Sequence, residues 1–340
     1  MGVGNKMSDV LVEEYRGGIV ENVHRGRICG VNDKGEVLYA VGDVELPTFL
    51  RSSAKPLQAL PAVARGVQEQ YGLTDAELAL MAASHRGESF HIEALESLSR
   101  KIGLVEDNLV CLPTYPLNPA ERDSLFKDDN PKRRIYHNCS GKHFGIMALC
   151  KMLGVGTDEY WEKEHPAQQE ILQTVATLAD YPADDIKLGV DGCGVPVFAL
   201  PLKNIAIAYM KLACPDLIED ASLRAAAQRL SEAMNAAPQM IGGSNQICST
   251  LLRDSNIVAK GGAKGVYCFG LKEERLGFAL KVGDGSEEEW PLIVASILQQ
   301  IGYRKQETID SMLQLAVQKV VNDNNRIVGD NKAVFRLQQV

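Results

Sequence analysis

The chain has 340 residues, 45% of them hydrophobic and 24% charged, with a net charge of −8 and a pI near 5.4. That length and apolar share suffice for one large core or two smaller ones. A nucleic-acid binder usually carries a basic stripe, and none is visible. The densest basic run, Lys132-Arg133-Arg134, follows Asp128 and Asp129 and reads as a solvated loop. No apolar run approaches the roughly 20 residues that span a bilayer, so no membrane partner is expected. The start, MGVGNKMSDVLVEEYRGG, lacks the apolar segment of a signal peptide. Lys6 does not fit a myristoylation signal, and Met7 fits a native start. A cytoplasmic protein is expected. Its cysteines, at 29, 111, 139, 150, 193, 214, 248 and 268, should then be reduced. No CxxC pair occurs, so a zinc ribbon or thioredoxin motif is unsupported. Most of the eight read as small buried apolar residues.

Residues 9–42 read as strands: VLVEEYRG, RGRICGVND and EVLYAVGD are short, alternating and broken by turn residues. From Ser52 onward the apolar spacing becomes helical, through SSAKPLQALPAVARGVQEQYG, DAELALMAAS and SFHIEALESLSRKIG. Residues 104–138 look irregular. Helices are expected from about Gly141 to Leu153 and His165 to Asp180, then a strand at IKLGV, then helices over 201–213 and 221–236. NIVAKGG, GVYCFGL and RLGFALKVGDG read as strands, EEEWPLIVASILQQIG as a last long helix, and two short β-like pieces end the chain. Strands at both ends with helices between them suit an α+β fold. Its antiparallel sheet is formed by N- and C-terminal strands, with helices packed on it and a helical insertion. One unit is expected over 1–340, with an α/β part at about 8–60 and 185–340 and a helical part at about 61–184.

HNCSGKH at 137–143 is rich in reactive residues. It is not a phosphate loop: the earlier glycine position is Tyr136 and the hydroxyl position is His143. Ser52-Ser53-Ala54-Lys55 places Ser52 and Lys55 on one helix face. That is the geometry of a dyad in which the amine takes the proton of an attacking hydroxyl. Such a lysine must be neutral, and at pH 7 only about one free lysine in 2500 is. Burial and a nearby cation lower its pKa. The plain alternative is a capping serine beside a surface lysine. Two companions favour the dyad. Ser84-His85 stands between helical patterns, and Lys260-Gly261-Gly262 follows the strand piece NIVA. The latter is a version of the K-T-G element that accompanies S-x-x-K in penicillin-recognising enzymes.

Cys139 and His143 share a helix face at i, i+4, and GVDGCG at 189–194 follows a strand. If the two segments meet, Cys139, Cys193 and Asp191 give two thiolates and a carboxylate, a set that suits tetrahedral Zn²⁺. The fourth ligand is open between His143, the ordinary choice, and Lys142, whose amine must first lose a proton. The plain alternative is two buried cysteines near polar loops.

RSSAKP at 51–56, ASHRGE at 83–88, NCSGKH at 138–143, HPAQ at 165–168 and GVDGCGVP at 189–196 together resemble the bacterial L-asparaginase II family, the group with the inducible rhizobial-type enzymes. VENVHRG at 20–26 and the AMNAAP, VAKGGAKGVY and KVGDG pieces follow in the family's order. The resemblance implies a serine amidohydrolase with a fold similar to glutaminases and serine β-lactamases, hydrolysing L-asparagine to L-aspartate and ammonia. It implies two pairs, Ser52–Lys55 and Ser84–Lys260, with Ser52 as nucleophile and Lys55 as its base. It implies zinc on Cys139, Lys142, Asp191 and Cys193, and a homodimer. By analogy with related folds, the Ser52 and Ala263 N–H groups would hold the oxyanion. A zwitterionic substrate needs a cation, for which Arg51 and His143 are candidates, and an anion, for which Asp191 is. Lys264 and Arg86 depart from the residues expected of the family. A glutaminase or other small-amide hydrolase, a zinc-dependent hydrolase and a non-catalytic binding scaffold are the alternatives.

Overall fold

The computed structural model describes residues 7–340. The reading of the Met-Gly start and Lys6 lies outside the described residues. Three strands come from the first part of the chain: β1 (Asp9–Arg16), β2 (Ile19–Val31) and β3 (Val37–Val41). Then come β4 (Pro47–Phe49), β5 (Lys187–Val190) and β6 (Pro196–Pro201). The rest are β7 (Ile257–Gly261), β8 (Val266–Leu271), β9 (Leu276–Val282), β10 (Lys319–Val321), β11 (Ile327–Ala333) and β12 (Gln338–Gln339).

The large sheet has nine strands in the order β10-β11-β1-β2-β9-β8-β7, with β3 on β2 and β12 on β3. Its pairings are antiparallel. The two parts of the chain meet where Gly26 of β2 faces Val282 of β9. This is the expected α+β architecture. Every residue of β7 and β8 is buried, which is why these strands read as continuous apolar runs. Helix Leu202–Ala213 packs on β8 and β9.

The small sheet, β4-β6-β5, positions the chemistry. β4 and β5 both run antiparallel to β6, so they point the same way. β4 leads into Ser52 and β5 into Asp191. Two motifs about 140 residues apart in sequence thus leave the sheet at one end. Among the helices of the inserted part, Ser140–Leu153 is central: residues 140 to 150 are all buried. A helix buried on every side carries no amphipathic stripe.

Helices Pro119–Lys127, Pro238–Gly242, Ile247–Leu251 and Gln306–Leu315 fall where the sequence reading had none. Pro119–Lys127 lies within the segment read as irregular; it buries no residue and is fixed by Asn118, whose side chain accepts from the N–H groups of Ala120 and Glu121. A cap, not periodicity, makes it a helix. The expected last long helix is Trp290–Gln300, and after Gly302, with φ of 71°, the chain adds Gln306–Leu315. No helix among the described residues is long and apolar enough to cross a membrane.

Candidate active site

Ser52 lies in the 3₁₀ turn Arg51–Ala54, and Lys55 opens the helix Lys55–Ala64. Lys55 is fully buried. Its Nζ donates to Ala83 O at 2.7 Å, Ser84 Oγ at 3.0 Å and Asn138 O at 3.1 Å. An ammonium has three protons, so this set saturates it. The expected Ser52–Lys55 hydrogen bond is therefore not formed. Ser52 Oγ is half-buried and has no hydrogen-bond partner among the described residues. Lys260, on β7, comes from the other side. Its Nζ is 2.9 Å from Ser84 Oγ and 2.6 Å from Gly261 O. The structure thus joins Ser84 to Lys260, and adds Lys55 to the same hydroxyl. The result is one amine–hydroxyl–amine chain.

Free lysines are almost never buried without a partner. Burial pulls Lys260 down to about 8; the Lys55 charge acts in the same direction, and the nearby Cys248 opposes it. Cys248 Sγ also accepts the Gly261 N–H at 3.0 Å. At Gly262 a Cβ would stand 2.7 Å from Leu50 O. Only glycine lets the end of β7 lie against the turn that carries Ser52, which gives the K-G-G element its role here.

Arg51 has φ of 51°, a left-handed conformation uncommon for a side-chain-bearing residue. Strain of this kind gathers at functional sites. Its Nε donates to Asp191 Oδ1 at 2.9 Å, and the Gly192 N–H donates to the same oxygen. The two charges expected to meet substrate therefore meet each other.

The thiol segment lies deeper. Gly141 presses the start of its helix against the 80–83 segment, since a Cβ there would be 2.2 Å from Leu80 O. Lys142 is 2% exposed, and its Nζ donates to Cys193 Sγ at 2.8 Å. A hydrogen bond from the Cys193 thiol holds the Cys139 thiol well below its usual range, against burial, and the Lys55 and Lys142 charges add to this. The same shared bond, together with burial, pushes Cys193 up. Burial pulls Lys142 down, but the charge of Cys193 and Cys139 outweighs it, and the amine is raised. The two thiols are driven in opposite directions beside the Lys142 amine.

Two sulfurs and an amine gathered in a dry pocket fit a thiophilic divalent ion, which would take the place of their protons. Asp191 does not join them: among the described residues, the three-donor group whose atoms lie within 4.8 Å of one another is a different one, Glu14, His24 and Glu289. His143 is turned away as well. Its Nδ1 meets Tyr160 OH at 2.8 Å, its Nε2 has no partner, and burial holds it neutral.

Residues without an assigned role in the sequence join the two halves. His85 Nε2 meets Ser140 Oγ at 2.8 Å, Ser140 donates to Ile135 O, and the Gly87 N–H donates to His85 Nδ1. Those partners place the ring proton on Nε2. Nothing in the local pattern around Ser140 or Cys248 signals these contacts, because each partner lies far away in the chain.

No curated protein matches the chain. It is similar to a β-lactamase from Mycobacterium bovis, with 15% identity and a TM-score of 0.42 over 81% of this chain and 94% of that one. It is similar to a Bacillus glutaminase, with 14% identity and a TM-score of 0.34 over 77% of this chain and 84% of that one. The family model described as L-asparaginase II matches residues 12–333, from within β1 to the end of β11 and across every motif above, and the chain belongs to the L-asparaginase II family of amidohydrolases.

Proposed function

We propose that the protein hydrolyses the side-chain amide of L-asparagine, giving L-aspartate and ammonia through an acyl-serine. The observation that supports this is the Ser84 hydroxyl held between two buried amines, 3.0 Å from Lys55 and 2.9 Å from Lys260, with Lys260 drawn down to about 8. Such a chain can carry a proton in either direction near neutral pH.

Ser52 Oγ attacks the amide carbon. Its hydroxyl is uncommitted, and the 3₁₀ turn places Ser52 one turn before Lys55. Catalytic hydrogen bonds often tighten only when substrate binds. Lys55 passes a proton through Ser84 to the neutral Lys260 amine and then takes the serine proton. The Ser52 and Ala263 N–H groups receive the oxyanion. Ser84 gives a proton to the leaving nitrogen and is resupplied by the lysines, with Lys260 as the second proton holder. Water then cleaves the ester along the same relay. Arg51 receives the substrate carboxylate and Asp191 its ammonium, their mutual ion pair opening on binding. His143 Nε2, unpartnered, is the other candidate for the carboxylate. Zinc held by Cys139, Cys193 and Lys142 would supply a fixed positive centre beside the pocket; Asp191, the expected fourth ligand, would have to leave Arg51 to reach it.

A second reading takes Ser84 as nucleophile and Lys260 as base, because Ser84 already has an amine at 2.9 Å and Ser52 has none. The eight free thiols suit a reducing, cytoplasmic setting. A homodimer would cover apolar side chains exposed at the hairpins, including Ile19, Val20 and Ile327, and light scattering tests it.

The primary test is ammonia release from L-asparagine, with L-glutamine alongside. Release from asparagine alone supports the proposal. Equal release from both moves the substrate class to small amides in general. Release from neither, by folded protein supplied with zinc, ends it. Intact-mass trapping of the acyl-enzyme in Ser52→Ala and Ser84→Ala separates the two nucleophiles.

A further inference from the structure

A donor cluster lies at the other end of the N-terminal strands, and the hydrolytic chemistry does not use it. We propose that Glu14 of β1, His24 of β2 and Glu289 form a binding site for a small divalent first-row cation such as Mn²⁺, with Asp284 orienting the imidazole.

The ligand atoms of Glu14, His24 and Glu289 all lie within 4.8 Å of one another. His24 Nε2 is 2.7 Å from Glu14 Oε1 and 3.4 Å from Glu289 Oε1. On the other side of the ring, Nδ1 is 2.6 Å from Asp284 Oδ2. Both ring nitrogens face carboxylates, so without an ion a proton bridges each; an ion would displace the Nε2 proton and leave Nδ1–H on Asp284, the orientation of metal-binding histidines. The neighbouring amide agrees. Asn22 Oδ1 accepts the Val23 N–H at 2.9 Å, so the Asn22 NH₂ faces His24 Nε2, at 3.3 Å. Once an ion has displaced its proton, Nε2 faces the Asn22 amide as an acceptor.

Three acceptors then converge. Glu289 is 5% exposed; Ser286 donates to its Oε2, and its Oε1 receives no hydrogen bond among the described residues. The only cation-forming partner of Glu14, Asp284 and Glu289 among the described residues is His24 itself. One proton on Nε2 would serve one oxygen. A metal ion serves all three donors at once. Bonds of about 2.1 Å put neighbouring donors about 3.0–3.4 Å apart, which matches a small ion better than calcium. One nitrogen and two oxygens, with no sulfur, also set this site apart from the thiol cluster. The Glu14 and Asp284 side chains are 26% and 45% exposed, so an ion has a path in and room for water.

The site would bear on the reaction centre through the backbone. Glu287 accepts the Lys264 N–H at 3.0 Å, and the Val282 N–H donates to Gly265 O at 2.8 Å. The segment that supplies Asp284 and Glu289 therefore also holds the β7–β8 turn that follows Lys260.

Mn²⁺ titrated into the chelator-stripped full chain, with free ion read by electron paramagnetic resonance, tests this. The expected result is a site that survives Cys193→Ser, is lost in Glu14→Gln and Glu289→Gln, and weakens about 10- to 100-fold in Asp284→Asn. Circular dichroism before ion addition identifies a misfolded variant. If buried Glu289→Gln fails to fold, the half-exposed Glu14→Gln decides. Absence of Mn²⁺ binding to the wild type, or unchanged affinity in folded Glu14→Gln, overturns the proposal and leaves a protonated His24 ion-pair network.

Discussion

Lys260 and Lys142 are both 2% exposed, yet their amines are tuned in opposite directions. Lys260 meets a hydroxyl and a carbonyl, with another lysine close by. Lys142 meets Cys193 Sγ, with the Cys139 thiol, held low, close by. Burial removes the water that stabilises an ammonium in both cases. The partner then decides the outcome: neutral acceptors leave the amine near its neutral form, and a thiolate fixes it as a cation. A buried lysine is therefore a base or a fixed charge according to what it touches.

The most severe way to probe the first region is Ser52→Ala. It should lower ammonia release by about three orders of magnitude or more. The melting temperature should not move, because Ser52 Oγ makes no hydrogen bond among the described residues. Near-normal turnover would pass the nucleophile role to Ser84. Next comes Lys260→Met, expected to lower kcat/KM by about 10²- to 10⁴-fold. In the wild type the neutral amine is the competent base, so kcat/KM should climb as pH rises through about 8. A profile flat across that range, or one unchanged in Lys260→Met, would remove Lys260 from proton transfer.

The second region is tested by Lys142→Met. It leaves a thiolate buried without its cation, and a broken buried pair costs about 3–5 kcal/mol in chemical denaturation. A loss under 1 kcal/mol would mean that the sulfurs are both protonated and the contrast with Lys260 fails. The smallest effect concerns a buried group outside both clusters. Burial pulls His91 down to about 4, while the unfolded chain takes up that proton near pH 6.5. Between those values the unfolded state binds more protons, so stability falls as pH drops from about 6.5 toward 4. Melting curves should show a shallower fall for His91→Gln.

Much of the fold was legible because the strands of β7 to β9 are apolar and broken by turn residues, and the helices between are periodic. Helix Gln306–Leu315 was not, since it buries only Thr308, Ile309 and Met312. The site residues were legible as types and spacings, and their pairing was not. S-x-x-K spacing puts Lys55 beside Ser52 in one turn, but a four-carbon stem reaches further than a turn, and its amine settles on Ala83, Ser84 and Asn138. Likewise Asp191 reads as a ligand beside Cys193, and only the parallel exit of β4 and β5 turns it to Arg51. Glu14 and His24 carry no local signal at all, because their partners Asp284 and Glu289 lie in another part of the chain.

The pairing of β2 with β9 also sets a clock. Gly26 cannot meet Val282 until 256 further residues have left the ribosome, roughly 13 to 50 seconds at ordinary synthesis rates. Ser52 and Ser84 emerge early and wait for Lys260 on β7. During that interval the apolar faces of β1 and β2 have no sheet to join. A nascent chain halted before β7 would hold the serines without the second amine, and it would be a client for chaperones before it is a catalyst.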